Sequence, residues 1–185
     1  MGNYLARQNH TNEAIQAYNR AIQIFPAYVE ARFDLGIMLR LENRSDEAVQ
    51  QFENVIRLKP DYIEAHNQLG LIWLEKSNFN QAIVQLQQTV RLSPTNLEAR
   101  NNLGVALGKA GQLEAAATEL EEVVRSNPIY AKGQGNLGII LATQGRTNEA
   151  ILHLLEAIKL QPNYPEAENQ IFKLQPKQAD LKIKN

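Results

Sequence analysis

Between Val29 and Glu42 the apolar residues Val29, Phe33, Leu35, Ile37, Leu39 and Leu41 fall on most sides of a helix, as in a helix contacted on several faces. A polar break, Asn43-Arg44, follows, and from Ser45 a second helix of about fourteen residues is predicted to run toward Pro60. The break recurs as Asn9-His10, Ser77-Asn78, Gly111-Gln112 and Gly145-Arg146. Asn or Gly at its first position suits a left-handed helix C-cap. Ser45, Thr11 and Thr147 then read as N-caps of the second helices, with Asp46 and Glu47 in a first turn where the helix dipole favours acids. Thr95 with Glu98, and Asp61 with Glu64, have capping-box spacing for the next first helix.

These patterns keep one period. Pro26, Pro60, Pro94, Pro128 and Pro162 stand 34 residues apart. Leu35-Gly36, Leu69-Gly70, Leu103-Gly104 and Leu137-Gly138 run in phase with them. Ala48, Ala82, Ala116 and Ala150 follow the glycines by 12, and Phe52, Leu86, Leu120 and Leu154 stand four further on. Upstream, Gly2, Ala14 and Tyr18 extend the register. Self-similarity at this period is the mark of a solenoid of helix pairs. Proline inside a helix costs about 3 kcal/mol, so each proline marks the end of a pair. A mid-helix glycine costs about 1 kcal/mol relative to alanine, which calls for a packing return. The expected return is close approach of the two helices, glycine against alanine.

The unit length and the Leu-Gly, Ala and Pro landmarks resemble the tetratricopeptide-repeat family over nearly the whole chain. The resemblance implies an all-α, right-handed α-solenoid of helix-turn-helix repeats. It would comprise a partial first repeat at 1–28, full repeats at 29–62, 63–96, 97–130 and 131–164, a C-terminal capping helix at 165–175 and a loose tail at 176–185. Arg32, His66, Arg100 and Gln134 stand where the family carries an early aromatic. Ile171-Phe172 replaces Leu-Gly in the last helix, as suits an end with no partner helix.

In the family the first helices line the concave wall. Helical geometry gathers on that side the residues two before Leu, one before Leu and one after Gly. The wall would then carry the carboxamides Asn67, Gln68, Asn101, Asn102 and Asn136 beside the aliphatic Leu71, Val105 and Ile139, with Ile37 in the same register. Carboxamides both donate and accept, so they can bond the backbone of an extended peptide while the aliphatic row takes its side chains. Asn102 and Asn136 are similar to the asparagine ladder in the repeats of O-linked N-acetylglucosamine transferase. The alternative is that these residues solvate the groove or join neighbouring repeats. Gly133 and Gly135 would leave the wall of the fifth repeat bare, with room for a ligand backbone. The basic clamp that grips heat-shock chaperone tails in this family is missing, since its Lys and Asn positions hold Asn67 or Asn101 and Leu71 or Val105.

Charge and composition narrow the chemistry. Nineteen basic and twenty acidic residues give a net charge of −1, with no field to neutralise phosphates, so no nucleic-acid partner is expected. The longest apolar run, Leu69 to Leu74, is too short for membrane insertion, and the start at Met1 lacks a signal pattern. With no cysteine there is no disulfide or thiolate chemistry, and a cytoplasmic setting is expected. His10, His66 and His153 fall at different registers, so no metal site is expected. Gly133-Gln134-Gly135-Asn136-Leu137-Gly138 spells the dinucleotide fingerprint, but no strand precedes it and no cofactor is expected. The reading is a non-catalytic module that binds a protein or extended peptide. Two others stay open: the interaction region of a longer enzyme, and a scaffold that self-associates through the incomplete N-terminal repeat.

Overall fold

The computed structural model describes residues 11–174, in which all regular structure is helical. The expectations for residues 1–10 and 175–185, including the Asn9 cap and the tail, lie outside the described residues. The helices are α1 (Thr11–Ile24), α2 (Val29–Leu41), α3 (Ser45–Leu58), α4 (Ile63–Glu75) and α5 (Phe79–Leu92). They continue as α6 (Leu97–Lys109), α7 (Leu113–Ser126), α8 (Ala131–Thr143), α9 (Thr147–Leu160) and α10 (Pro165–Leu174). Two compact units divide them, Met1–Pro94 and Thr95–Asn185. In the first, α2 packs on α3 and α4 on α5, with α1 against α2 and α3 against α4. In the second, α6 packs on α7 and α8 on α9, α7 and α6 also meet α8, and α10 rests on α8 and α9.

The landmark residues form the seam of each pair, though not in the way expected. Ala48, Ala82, Ala116 and Ala150 are all 0 % exposed. The glycines, however, do not meet these alanines first. A Cβ on Gly36 would sit 2.7 Å from Phe52, on Gly70 2.6 Å from Leu86, on Gly104 2.6 Å from Leu120 and on Gly138 2.7 Å from Leu154. Each glycine is therefore a socket for the bulky residue sixteen positions on, and the alanine four before that residue keeps the second helix close. The mid-helix cost is offset by burying one Phe or Leu completely.

The C-caps follow the expected register. Asn43, Ser77, Gly111 and Gly145 all have positive φ (58°, 57°, 80° and 79°). Around them the backbone closes a Schellman motif, with Arg44 N–H donating to Leu39 C=O, Asn78 to Trp73, Gln112 to Leu107 and Arg146 to Leu141. The N-caps are shifted by one residue. Arg44 and Arg146 occupy the cap positions and Ser45 and Thr147 are already helical, so the hydroxyls do not cap. Arg44 and Arg146 instead pair with Glu47 and Glu149 three residues on. Likewise Asn96 and Tyr62, not Thr95 and Asp61, are the caps of α6 and α4, and Asn96 Oδ1 accepts from Ala99 N–H at 3.0 Å.

Pro26, Pro60 and Pro128 occupy the second position of a tight turn, as where Tyr62 N–H donates to Lys59 C=O across Pro60. The residue that replaces the family aromatic ties this turn to the second helix. Arg32 donates to Pro26 C=O and to Gln51, His66 bridges Pro60 C=O and Gln85, and Gln134 donates to Pro128 C=O while accepting from His153. Arg100 makes the corresponding bond to Glu119. A polar clip thus takes over the anchoring that a buried ring would provide.

Candidate functional site

In the second unit, α6, α7, α8 and α10 leave a cavity of about 360 Å³. Its apolar lining is Val105, Leu113, Leu120, Ile139 and Ile140; Asn136 and Thr143 add polar groups, and Lys109 and Glu166 stand at its edge. The first helices place Val105, Asn136 and Ile139 by the geometry read from the sequence. Leu113 and Glu166 were not foreseen, because they begin other helices and read as helix starts. Gly108 is also part of the wall, and any Cβ there would collide with Ile140 Cδ1.

The carboxamides do not form one uniform row. Asn101 is only 3 % exposed, and its Oδ1 accepts from Asn136 Nδ2 at 2.9 Å. This bond joins α6 to α8, and Asn136 Oδ1 accepts no hydrogen bond among the described residues. Asn102 is half-buried and makes no side-chain hydrogen bond among the described residues. In the first unit, Gln68 accepts from Arg40 at 2.7 Å, Asn67 Oδ1 is buried without a partner among the described residues and Leu71 is half-buried. Ile37, Arg40, Gln68 and Glu75 line a separate hollow of about 600 Å³ there, where Arg40 also pairs with Glu75.

Gly133 and Gly135 do not open the wall. Both are buried: a Cβ on Gly133 would meet Val123 and Tyr130, and one on Gly135 would lie 2.5 Å from Tyr164. Tyr164, just before α10, fills the space that was assigned to a ligand backbone. Burial pushes its hydroxyl, and that of Tyr130, above the usual phenol pKa. The same position in the second repeat holds Phe33, packed against Tyr62 at 5.1 Å between centroids with the rings tilted by 37°. Beside it Asp34 accepts from Tyr18, whose pKa is pushed up to about 12, first by burial and then by that carboxylate.

The glycine fingerprint from Gly133 to Gly138 lies wholly inside α8, where from Gln134 onward helical carbonyls already take the backbone N–H groups that a pyrophosphate would need. Among the described residues no group of three or more His, Asp or Glu is placed to hold a metal ion. None of the described helices is long and apolar enough to cross a membrane.

A family model for the tetratricopeptide repeat matches residues 1–63 and 101–165, and a second model, TPR repeat, matches 70–111. Over 37 residues the chain is 51 % identical to the peroxisomal targeting signal receptor of Eremothecium gossypii, a stretch that covers 20 % of this chain and only 6 % of that protein. Among solved structures, YrrB, a TPR protein with an unusual peptide-binding site, superposes with a TM-score of 0.86 at 24 % identity, covering 92 % of this chain and 88 % of that one. MamA superposes at 0.81 with 21 % identity, covering 94 % and 97 %. Both likenesses bear on the fold. The in-register helix pairs, and a repeat model that matches more than half of the chain, show that it belongs to the tetratricopeptide-repeat family.

Proposed function

We propose that the second unit binds an extended segment of a partner protein across α6 and α8. Tetratricopeptide repeats are in general non-catalytic scaffolds for protein–protein contacts, which sets the class of function. The observation that carries the finer reading is the cavity bounded by Val105, Leu120, Ile139 and Ile140, large enough for one or two aliphatic side chains. Asn136 lines it and Asn102 lies one turn before Val105 on α6, both with hydrogen-bonding capacity unused among the described residues. Asn101 serves indirectly, by orienting Asn136. On the first unit, Asn67 and Leu71 offer a similar but smaller set, and Gln68 is already held by Arg40.

Binding of a short segment that must order on docking is expected at micromolar strength, about −8 kcal/mol. The experiment places a photo-crosslinking amino acid at Thr143, on the cavity wall, or at Gln87, on the outer helix α5, in the source cell. Crosslinks from 143 that vanish in an Ile139→Asp background, with the melting curve retained, support the reading. Crosslinks to partner proteins from 87 and none from 143 would move the site to the outer helices and refute it.

A further inference from the structure

Resting on the peptide-binding reading above, the structure assigns the cavity of the second unit a ligand class: an extended segment with an aliphatic residue flanked by one acidic and one basic side chain. The argument starts from two helix ends. Lys109 closes α6 and Glu166 opens α10, and both edge the cavity. Neither forms an ion pair among the described residues, and their signs are opposite. Each suits its own helix dipole, which accounts for the charge but not for its placement beside an open apolar hollow.

The first unit supplies an internal control. Between the two hollows the sequence register shifts by two repeats, so Arg40 stands in the place of Gly108, Leu41 in that of Lys109 and Glu75 in that of Thr143. There the side chain of Arg40 lies along its hollow, donates to Gln68 and pairs with Glu75, so the charges satisfy one another. In the second unit the register of Arg40 holds a glycine. Ile140 Cδ1 packs over that glycine, Lys109 has no counter-charge among the described residues, and the floor is aliphatic. A ligand there meets an apolar pocket and two unspent charges of opposite sign. Asn136 Oδ1 adds an acceptor for its backbone N–H.

In an extended peptide residues i−2, i and i+2 project to the same side, about 7 Å apart in sequence. An aliphatic residue at i enters the cavity, and its flanking side chains reach the two edges. Two exposed pairs replaced by one pair and one repulsion should change affinity by about threefold to thirtyfold.

The test uses four acetylated, amidated heptapeptides with central Leu and Ser at the other neutral positions. Two carry Glu and Lys at i−2 and i+2 in either order, one carries two Glu, and one carries two Lys. Titration is followed by chemical-shift perturbation on the full chain at low salt. The expected result is that a mixed-charge peptide binds tightest, by about threefold to thirtyfold, and that the difference collapses in 1 M salt, where the screening length is about 3 Å. Lys109→Glu should shift the preference to the two-Lys peptide, and Glu166→Lys to the two-Glu peptide. Equal binding of all four, lost when the central Leu becomes Ser, would overturn this inference and leave the peptide-binding reading standing. No binding by any of the four would overturn both.

Discussion

The socket at Gly104 can be tested with a double-mutant cycle. The three atoms nearest to a Cβ added there, at 2.6, 3.0 and 3.2 Å, all belong to Leu120, and Leu120 is 0 % exposed. Gly104→Ala should gain about 1 kcal/mol of helix propensity. It should lose about 1–3 kcal/mol to overpacking, because the nearest atom is the branch carbon of Leu120, which moves only if the whole side chain or its helix shifts. The net expectation is a loss of up to about 2 kcal/mol. Leu120→Ala alone should cost about 2–5 kcal/mol through the cavity it leaves. In that background the added Cβ meets no crowding, so Gly104→Ala becomes stabilising by about 1 kcal/mol. The coupling between the two positions is therefore about 1–3 kcal/mol, readable from urea melts followed by circular dichroism. Gly104→Leu should cost more than Gly111→Ala, since Gly111 has no neighbour within 4 Å and risks only the strain of φ +80°. Coupling within about 0.5 kcal/mol, or a Gly104→Ala protein more stable than the parent, would refute the socket.

Asn136→Ala should cost about 1–3 kcal/mol, because it leaves Asn101 Oδ1 buried without its donor, while Asn102→Ala should stay within about 0.5 kcal/mol. Thermal melts of the two variants would check this, and only Asn102→Ala would serve as a clean probe of binding. Burial is the main cause holding the His153 pKa below the usual imidazole range; Arg146 acts in the same direction, whereas Glu149 and Glu121 oppose it. A group that stays neutral in the fold contributes stability present above the unfolded-state value of about 6.5 and lost as pH falls below it. His153→Gln, the residue found in register at Gln51 and Gln85, should therefore reduce the loss of stability between pH 7 and pH 5, as measured by denaturant midpoints.

The sequence by itself determined the helix pairs, their period and their C-terminal caps. Those features rest on local physics: proline cannot continue a helix, and Asn43, Gly111 and Gly145 tolerate the left-handed cap. Even Ser77, a poorer left-handed residue, obeys the register, because the Schellman bonds to Trp73 and Leu74 set its backbone. What the glycines face was decided only in three dimensions. Spacing showed that a small residue was needed at Gly104 but could not show that Leu120, not Ala116, would fill the gap. Gly135 makes the same point, since a bare patch in the sequence became the seat of Tyr164, which lies 29 residues further on. The site divided in the same way. Helical geometry put Val105, Asn136 and Ile139 on one face of the first helices, and all three line the candidate cavity. Leu113, Glu166 and the loss of Asn101 to an inter-helix hydrogen bond depended on how separate helices pack. Burial and hydrogen bonding between elements are tertiary quantities, and no one-dimensional pattern records which of two equivalent carboxamides ends up covered.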